Sequence, residues 1–418
     1  MRRWRSAVAA GVAAALVLCG ALLGAPGSRA AVPALRIGVL LPLSGRNAAA
    51  GQSNLFGMRL VVDTVNAGGG VTRLGGAPIE LVIADNASVP VSSAAEARRL
   101  IEMEHVVFIL GPYATPEVEA TLPVSERAGV GLISTQGSFD ELFRRRYRGL
   151  TTVSMTSSQF GQSYAGFLEW LNKEHGAGIK TVAITYPDND YGQTAAKAAA
   201  RGLAPAGISV VSTRGFPPTA QDLTPIVLLL KQLKPDAVVS IGYFQDGVLL
   251  DDARVAQGYT GQPIWVGGSA SFTDDRLWRT LGERVARAAL GPRTFGLAQF
   301  DSAARTPGVQ WLVEAARRRD PHAIVDQAMA AGAQAAWVLV EALEHGATAK
   351  PRELAAAVRR VRIPPTSPRV SMPQFLSGVA FDASGKPLDP TALFVQWDNG
   401  VKQIVYPESL KTRQVKLR

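Results

Sequence analysis

Short apolar runs of four to seven residues, rich in Val and Ile, alternate with segments of helical period from about residue 36 to about residue 266. No other feature narrows the fold as much. An apolar run too short for a helix is a strand, and a helix between two strands carries the chain back so that the strands lie parallel. Repetition of that unit predicts an α/β fold, a parallel-rich sheet covered by helices on both faces. The first series predicts strands at about 36–42, 79–84, 106–110 and 131–134. Helices fall between them at 52–66, 91–104 and 116–128, and the glycines at 68–70 make a good stop for the first. The pattern restarts near residue 154. Helices are predicted at 160–175, 191–203, 222–233 and 245–257, with strands at 181–186, 208–212, 237–241 and 264–266. Two series of similar length predict two similar lobes. An Ala-rich helix at about 326–345 and another near 351–361 follow. The Pro-rich stretch 364–373 reads as an irregular connection, and turns near Gly385 and Asn399-Gly400 punctuate strand pieces in 379–406.

The amino terminus constrains location. Arg2, Arg3 and Arg5 precede an uncharged Ala/Val/Leu run from Ala7 to Leu23, and Ser28-Arg29-Ala30 offers small residues for cleavage before Ala31. This is the pattern of a cleavable secretion signal over residues 1–30. A run of 17 residues is short for a spanning helix, which needs about 20. The bulky Leu18 ahead of Cys19 argues against lipid attachment at that cysteine. Cys19 is the only cysteine, so a chain starting at Ala31 has no disulfide, no thiol nucleophile and no Cys-ligated metal site. Cleavage removes four arginines and no acid, so the formal charge falls from +10 to +6 on 388 residues. The remaining basic residues are scattered, apart from 144–148 and the tail 411–418. They form no stripe interleaved with aromatics, so a solvated surface is expected rather than a nucleic-acid interface.

Ligands of open parallel sheets sit at the carboxyl ends of the strands, so the loops there are the candidate site. After the third strand come Gly111-Pro112-Tyr113-Ala114-Thr115-Pro116-Glu117. Thr115 suits a helix N-cap and Pro116 the first helical position, and the free N–H groups of a helix start attract a carboxylate. Capping alone would equally explain Thr115. After the fourth strand, residues 134–138 supply Ser134, Thr135, Gln136 and Ser138, either as ligand donors or as a polar turn. In the second half, Tyr191, Tyr243 and Phe244 each follow a strand, where their rings could wall a small-ligand pocket or pack the core. No GxSxG, Walker A, HExxH or GxGxxG after the first strand is present, and the four histidines are far apart and follow no strand. No catalytic residue, metal site or cofactor is expected.

Seven stretches in order carry a family resemblance: IGVLLPLSG (37–45), DTVNAGGGV (63–71), GPYATPEVEATLPVSERAGVGLIST (111–135), SMTSSQFG (154–161), DNDYGQTAA (188–196), QDLTPIVLLLKQLKPDAVV (221–239) and FVQWDNG (394–400). The chain resembles the leucine/isoleucine/valine-binding type of periplasmic solute-binding proteins of ABC transporters. The resemblance implies two Rossmann-like lobes joined by three crossovers and closing on a ligand. Lobe one would comprise 35–152 plus 294–378, lobe two 153–293 plus 379–408, with a basic tail at 409–418. It implies that Thr115, Gln136 and Ser138 hold a ligand carboxylate, and that Tyr191 and Tyr243 line the site. Ala114 and Ser269 complete the expected contacts.

Two departures from the family pattern bear on the ligand. Amino-acid-binding relatives place an acidic residue after the strand ending Trp265-Val266-Gly267, to hold an α-ammonium; Gly268-Ser269 stand there. An aromatic often follows the first Ser-Gly; here the stretch is Arg46–Gly51. A buried ammonium without an anionic partner is costly, so either another acid, such as Asp246 or Asp188, compensates, or the ligand is a carboxylate without an ammonium, an amide or an aromatic acid. The expected function is ligand capture in the periplasm and delivery to an inner-membrane ABC permease, by a monomer. A sensor of the same fold acting on a regulator or receptor is the alternative, and an exported enzyme the weakest reading.

Overall fold

The computed structural model describes residues 32–145, 147–269 and 271–417, with the backbone alone at Ser269. The proposed secretion signal and Cys19 lie outside the described residues. The first strand, β1 (Leu35–Leu41), buries Ile37, Val39, Leu40 and Leu41 completely. Burial on both faces is what a central strand of a helix-covered parallel sheet requires. It pairs on one side with β2 (Ile79–Asp85) and on the other with β3 (Phe108–Leu110). β4 (Gly131–Ser134) and β5 (Leu150–Thr152) complete a five-stranded, all-parallel sheet in the order β2-β1-β3-β4-β5.

The second sheet has seven strands in the order β14-β13-β10-β9-β8-β6-β7. Its parallel part is β6 (Thr181–Pro187), β7 (Ser209–Phe216), β8 (Ala237–Gly242), β9 (Ile264–Ser269) and β10 (Thr294–Ala298). A two-stranded ribbon, β11 (Arg362–Ile363) with β12 (Val379–Ala380), belongs to neither large sheet. β13 (Leu393–Asp398) and β14 (Val401–Tyr406) then add an antiparallel hairpin to β10. Asn399 and Gly400 form its turn with positive φ of 49° and 84°, the conformation a two-residue hairpin demands.

The chain therefore crosses between lobes three times. The first crossing follows β5 and leads into the helix Ser157–His175. The second follows β10, later than the expected 294, because β10 is wholly buried and pairs Gly296 with both Gly267 and Val395. The third precedes β13; Val379 and Ala380 are still tied to Ile363 and Arg362, so the expected boundary at 379 also falls too early. The sequence reading had no helices at Leu277–Ala289 or Pro307–Arg319, which cover parts of the two lobes. The basic tail lies against lobe two: Gln396 donates from Nε2 to Lys416 O at 2.7 Å and accepts Lys416 N–H at 2.9 Å, and Val415 and Leu417 pack on the core.

One helix pair positions the cleft. The helices Ala48–Ala67 and Gln327–Gly346 cross with backbones touching. A Cβ on Gly57 would meet Met329 O at 2.1 Å, and one on Gly332 would meet Asn54 O at 2.1 Å. Only glycine allows so close an approach. The crossing holds the start of the second helix directly beside the first loop of the protein.

Candidate functional site

The loop after β9 is held rigidly from below. Lys402 on β14, 7% exposed, donates to Thr273 O at 2.8 Å and faces Asp275 at 3.0 Å and Asp301 at 3.6 Å. Burial pulls the pKa of its ammonium down, but the facing aspartates outweigh that and hold it at about 12. Trp397 adds a hydrogen bond from Nε1 to Phe272 O at 2.9 Å. On this fixed backbone, Arg276 donates from Nε to Asp274 Oδ1 at 2.8 Å and from Nη2 to Asp274 Oδ2, a forked pairing. The guanidinium also lies 5.3 Å from the centre of the Phe244 ring.

Lobe one presents Asp326 opposite. It caps the helix Gln327–Gly346, its Oδ1 accepting Met329 N–H at 2.8 Å and Ser53 O–H at 2.5 Å. Burial, and secondarily the charge of Asp274, push its carboxyl up to about 6. Its Oδ2 stands 3.8 Å from Arg276 Nη2 across the cleft. A reciprocal contact runs the other way. Arg46, in the loop after β1, donates to Pro218 O of lobe two and reaches Asp246 Oδ1 at 3.3 Å. Asp246 is 5% exposed and accepts Tyr243 N–H at 2.9 Å; burial raises its pKa, and that hydrogen bond and Arg46 oppose the rise.

Between these contacts lies a pocket. Tyr113, Gln136 and Asp326 line it from lobe one; Tyr243, Phe244 and Thr273 line it from lobe two. The heads of Arg46 and Arg276 border the same space, which leaves about 40 Å³ free. That is room for a few waters. A ligand the size of an amino acid enters only if the lobes separate and the arginines shift.

Residues 34–402 match the family of periplasmic binding proteins. The chain belongs to that family. A Leu/Ile/Val-binding protein homolog from Brucella suis is 27% identical to this periplasmic binding protein over 412 aligned positions, covering 96% of this chain and 97% of the homolog. Among solved structures, the substrate-binding protein LivJ of the branched-chain amino acid transporter from Streptococcus pneumoniae, in complex with isoleucine, superposes with a TM-score of 0.75. It is 20% identical, with 90% of this chain and all of LivJ covered. A solute-binding protein of an ABC transporter from Rhodopseudomonas palustris, in complex with benzoate, gives a TM-score of 0.74 at 19% identity, covering 89% of this chain and 95% of that one. Both share the type I periplasmic binding protein fold with it.

The periplasmic binding protein brings the expected residues together unevenly. Gln136 and Tyr243 line the pocket. Tyr191 is buried behind Tyr243, ring centres 5.5 Å apart, and meets Phe160 edge-on. Thr115 is not the N-cap. Ala114 is, and Thr115 is the first residue of the helix Thr115–Ala128. The Thr115 hydroxyl accepts Ser138 N–H at 3.1 Å, and Ser138 Oγ lies 3.2 Å from Ser157 Oγ. Thr115 and Ser138 thus form a buried seam from lobe one to the start of the helix Ser157–His175, rather than pocket wall. Ala114 N–H is taken by Glu117 Oε2 at 2.8 Å. Part of the helix-start anion site is therefore filled by the protein's own carboxylate. Glu117 is 3% exposed, and burial pushes its carboxyl up to about 7. Ser269 ends β9 opposite Gly242; its side chain lies outside the described residues.

Sequence reasoning did not assign Arg46, Tyr113, Asp274, Arg276 or Asp326 to the site. Asp326 had a visible signal, an Asp directly before an Ala-rich helix, which reads as an N-cap. Nothing in its spacing said that the cap faces a cleft. Among the described residues, no group of three or more His, Cys, Asp or Glu could hold a metal ion.

Proposed function

We propose that this periplasmic binding protein is exported, captures a small polar molecule between its lobes, and delivers it to an ABC permease in the inner membrane. The proposed ligand class is a branched-chain amino acid or a related carboxylate or amide. The observation that carries the reading is the pocket itself. Polar and aromatic side chains from both lobes converge on it, and an arginine from each lobe reaches an aspartate of the other. A site built equally from two halves is completed only on closure, so a ligand that contacts both halves shifts the open–closed equilibrium. The named ligands of the relatives, isoleucine and benzoate, fall within the same size class.

The test is a thermal-shift screen of residues 31–418 against amino acids, amino-free carboxylates, amides and aromatic acids. A ligand at 100 times its dissociation constant adds about 2.7 kcal/mol to stability. Saturable stabilisation by one chemical class supports the reading. No shift with any class, from protein shown to be folded, counts against it.

A further inference from the structure

The charges around the pocket do not balance. Arg46 is matched by Asp246, and Arg276 is matched by Asp274 through two hydrogen bonds. Asp326 is the third aspartate and has no arginine of its own. Its Oδ1 is occupied by Met329 N–H and Ser53 O–H, while Oδ2, among the described residues, meets only Arg276, at 3.8 Å and beyond hydrogen-bond range. That contact also joins opposite lobes, so separation of the lobes removes it. Asp326 lines the pocket, is 4% exposed, and sits on the helix crossing that Gly57 and Gly332 hold tight. A buried carboxylate with one oxygen committed and the other turned to a cleft is well placed for a cation.

We propose that Asp326 receives a positively charged group of the ligand, in place of the acid that the family resemblance puts where Gly268-Ser269 stand. The inference rests on the reading of the cleft as a ligand site and narrows it to ligands bearing an ammonium. Tyr113 and Phe244 line the same pocket, and the Phe244 ring already carries one cation, the Arg276 guanidinium, at 5.3 Å. The groups facing the Asp326 carboxyl are Ser53, Met329 N–H, Asp274, Arg276 and Tyr113. With its carboxyl at about 6 in the free protein, an ammonium ligand must displace a proton at lower pH. Affinity for such a ligand therefore falls between pH 7.5 and pH 5.

The test uses matched probes and the chain from residue 31. One set is leucine, isocaproate, which lacks the amine, and isoamylamine, which lacks the carboxylate; the other is phenylalanine, phenylpropionate and phenethylamine. The variant Asp326→Asn keeps an oxygen that can accept the cap hydrogen bonds and removes the charge. Asp326→Ser, another good N-cap, is the second variant. The expected result is wild-type binding of ammonium-bearing probes with the stated pH dependence. Both variants should lose at least about 30-fold in affinity for them, equivalent to about 2 kcal/mol, with the pH dependence abolished. Binding of the amino-free acids alone, or of ammonium probes equally by wild type and variants, overturns the assignment of Asp326 and leaves the cleft reading standing. Absence of binding by every probe to folded wild type overturns both.

Discussion

Two arginine–aspartate pairs in this protein, one fully buried and one half-buried, use the same chemistry for opposite ends. Arg254 and Asp251 are both fully buried within lobe two. Arg254 donates from Nε to Asp251 at 2.7 Å and from Nη2 to Ala289 O at 2.6 Å, and its guanidinium lies over the Trp265 and Phe272 rings at 4.6 and 5.2 Å. Every one of those partners belongs to one lobe. Arg276 divides its charge between Asp274 of its own lobe and Asp326 of the other. The first pair cannot loosen without disturbing a core; in the second, the Asp326 contact parts if the lobes separate while the Asp274 contact stays. Whether a buried ion pair supports structure or function is decided by how many rigid bodies its partners sit on.

The sharpest way to break that comparison is Arg254→Met. Asp251 would be left buried without its cation, which costs about 3–5 kcal/mol. A large fall in Tm is expected, with the cleft geometry unchanged in whatever protein remains folded. A loss of under about 1 kcal/mol would mean that the pair is not structural. Glu117 sharpens the contrast from the other side, as a buried acid paired with no cation. Its folded pKa of about 7 lies above the unfolded value, so the stability it contributes is fully present below about pH 4.5 and is lost as pH rises through 7. Glu117→Gln keeps an acceptor for Ala114 N–H. It should therefore gain about 3 kcal/mol on wild type between pH 4.5 and pH 8, read as diverging Tm profiles. The smallest effect belongs to Arg46→Ala. Arg46 is 36% exposed, and such a pair contributes about 1 kcal/mol or less. Global stability should barely move, while small-angle scattering of the ligand-free protein should report a larger average radius. An unchanged radius would argue that Arg46 does not bias closure.

The fold was readable because it rests on local, repeated signals. β1, β6 and β8 are apolar runs followed by helices, and sequence alone places each within a residue or two. β10 was missed because its five buried residues, Thr-Phe-Gly-Leu-Ala, carry little strand pattern; its identity comes from pairing with β9 and β13. The site was less legible for the same reason. Gln136 and Tyr243 follow strands, where the topology rule points. Asp326 and Arg276 open helices, and Arg46 stands in the stretch after the first Ser-Gly, which drew notice only for lacking an aromatic. Their partners lie 50 to 200 residues away, and only the three-dimensional fold supplies that. Thr115 shows the converse error: the residue type suited a cap, yet the backbone starts its helix one residue earlier and spends the hydroxyl on Ser138.

Gln299 gives the two lobes a pivot. Fully buried just past β10, it accepts Met155 N–H at 2.8 Å on the first crossover and donates to Gln136 Oε1 at 3.0 Å on lobe one, while its own N–H goes to Gln327 Oε1 at 2.8 Å. A rotation about such a knot moves each facing pair in proportion to its distance from the axis. Gln136 is bonded to it and travels little; Arg46 is bonded to Pro218 and Asp246 across the cleft and not to the knot. A contact that spans the lobes away from their pivot acts on the angle between them, so the exposed arginine bears on the opening of a cleft to whose overall stability it adds almost nothing.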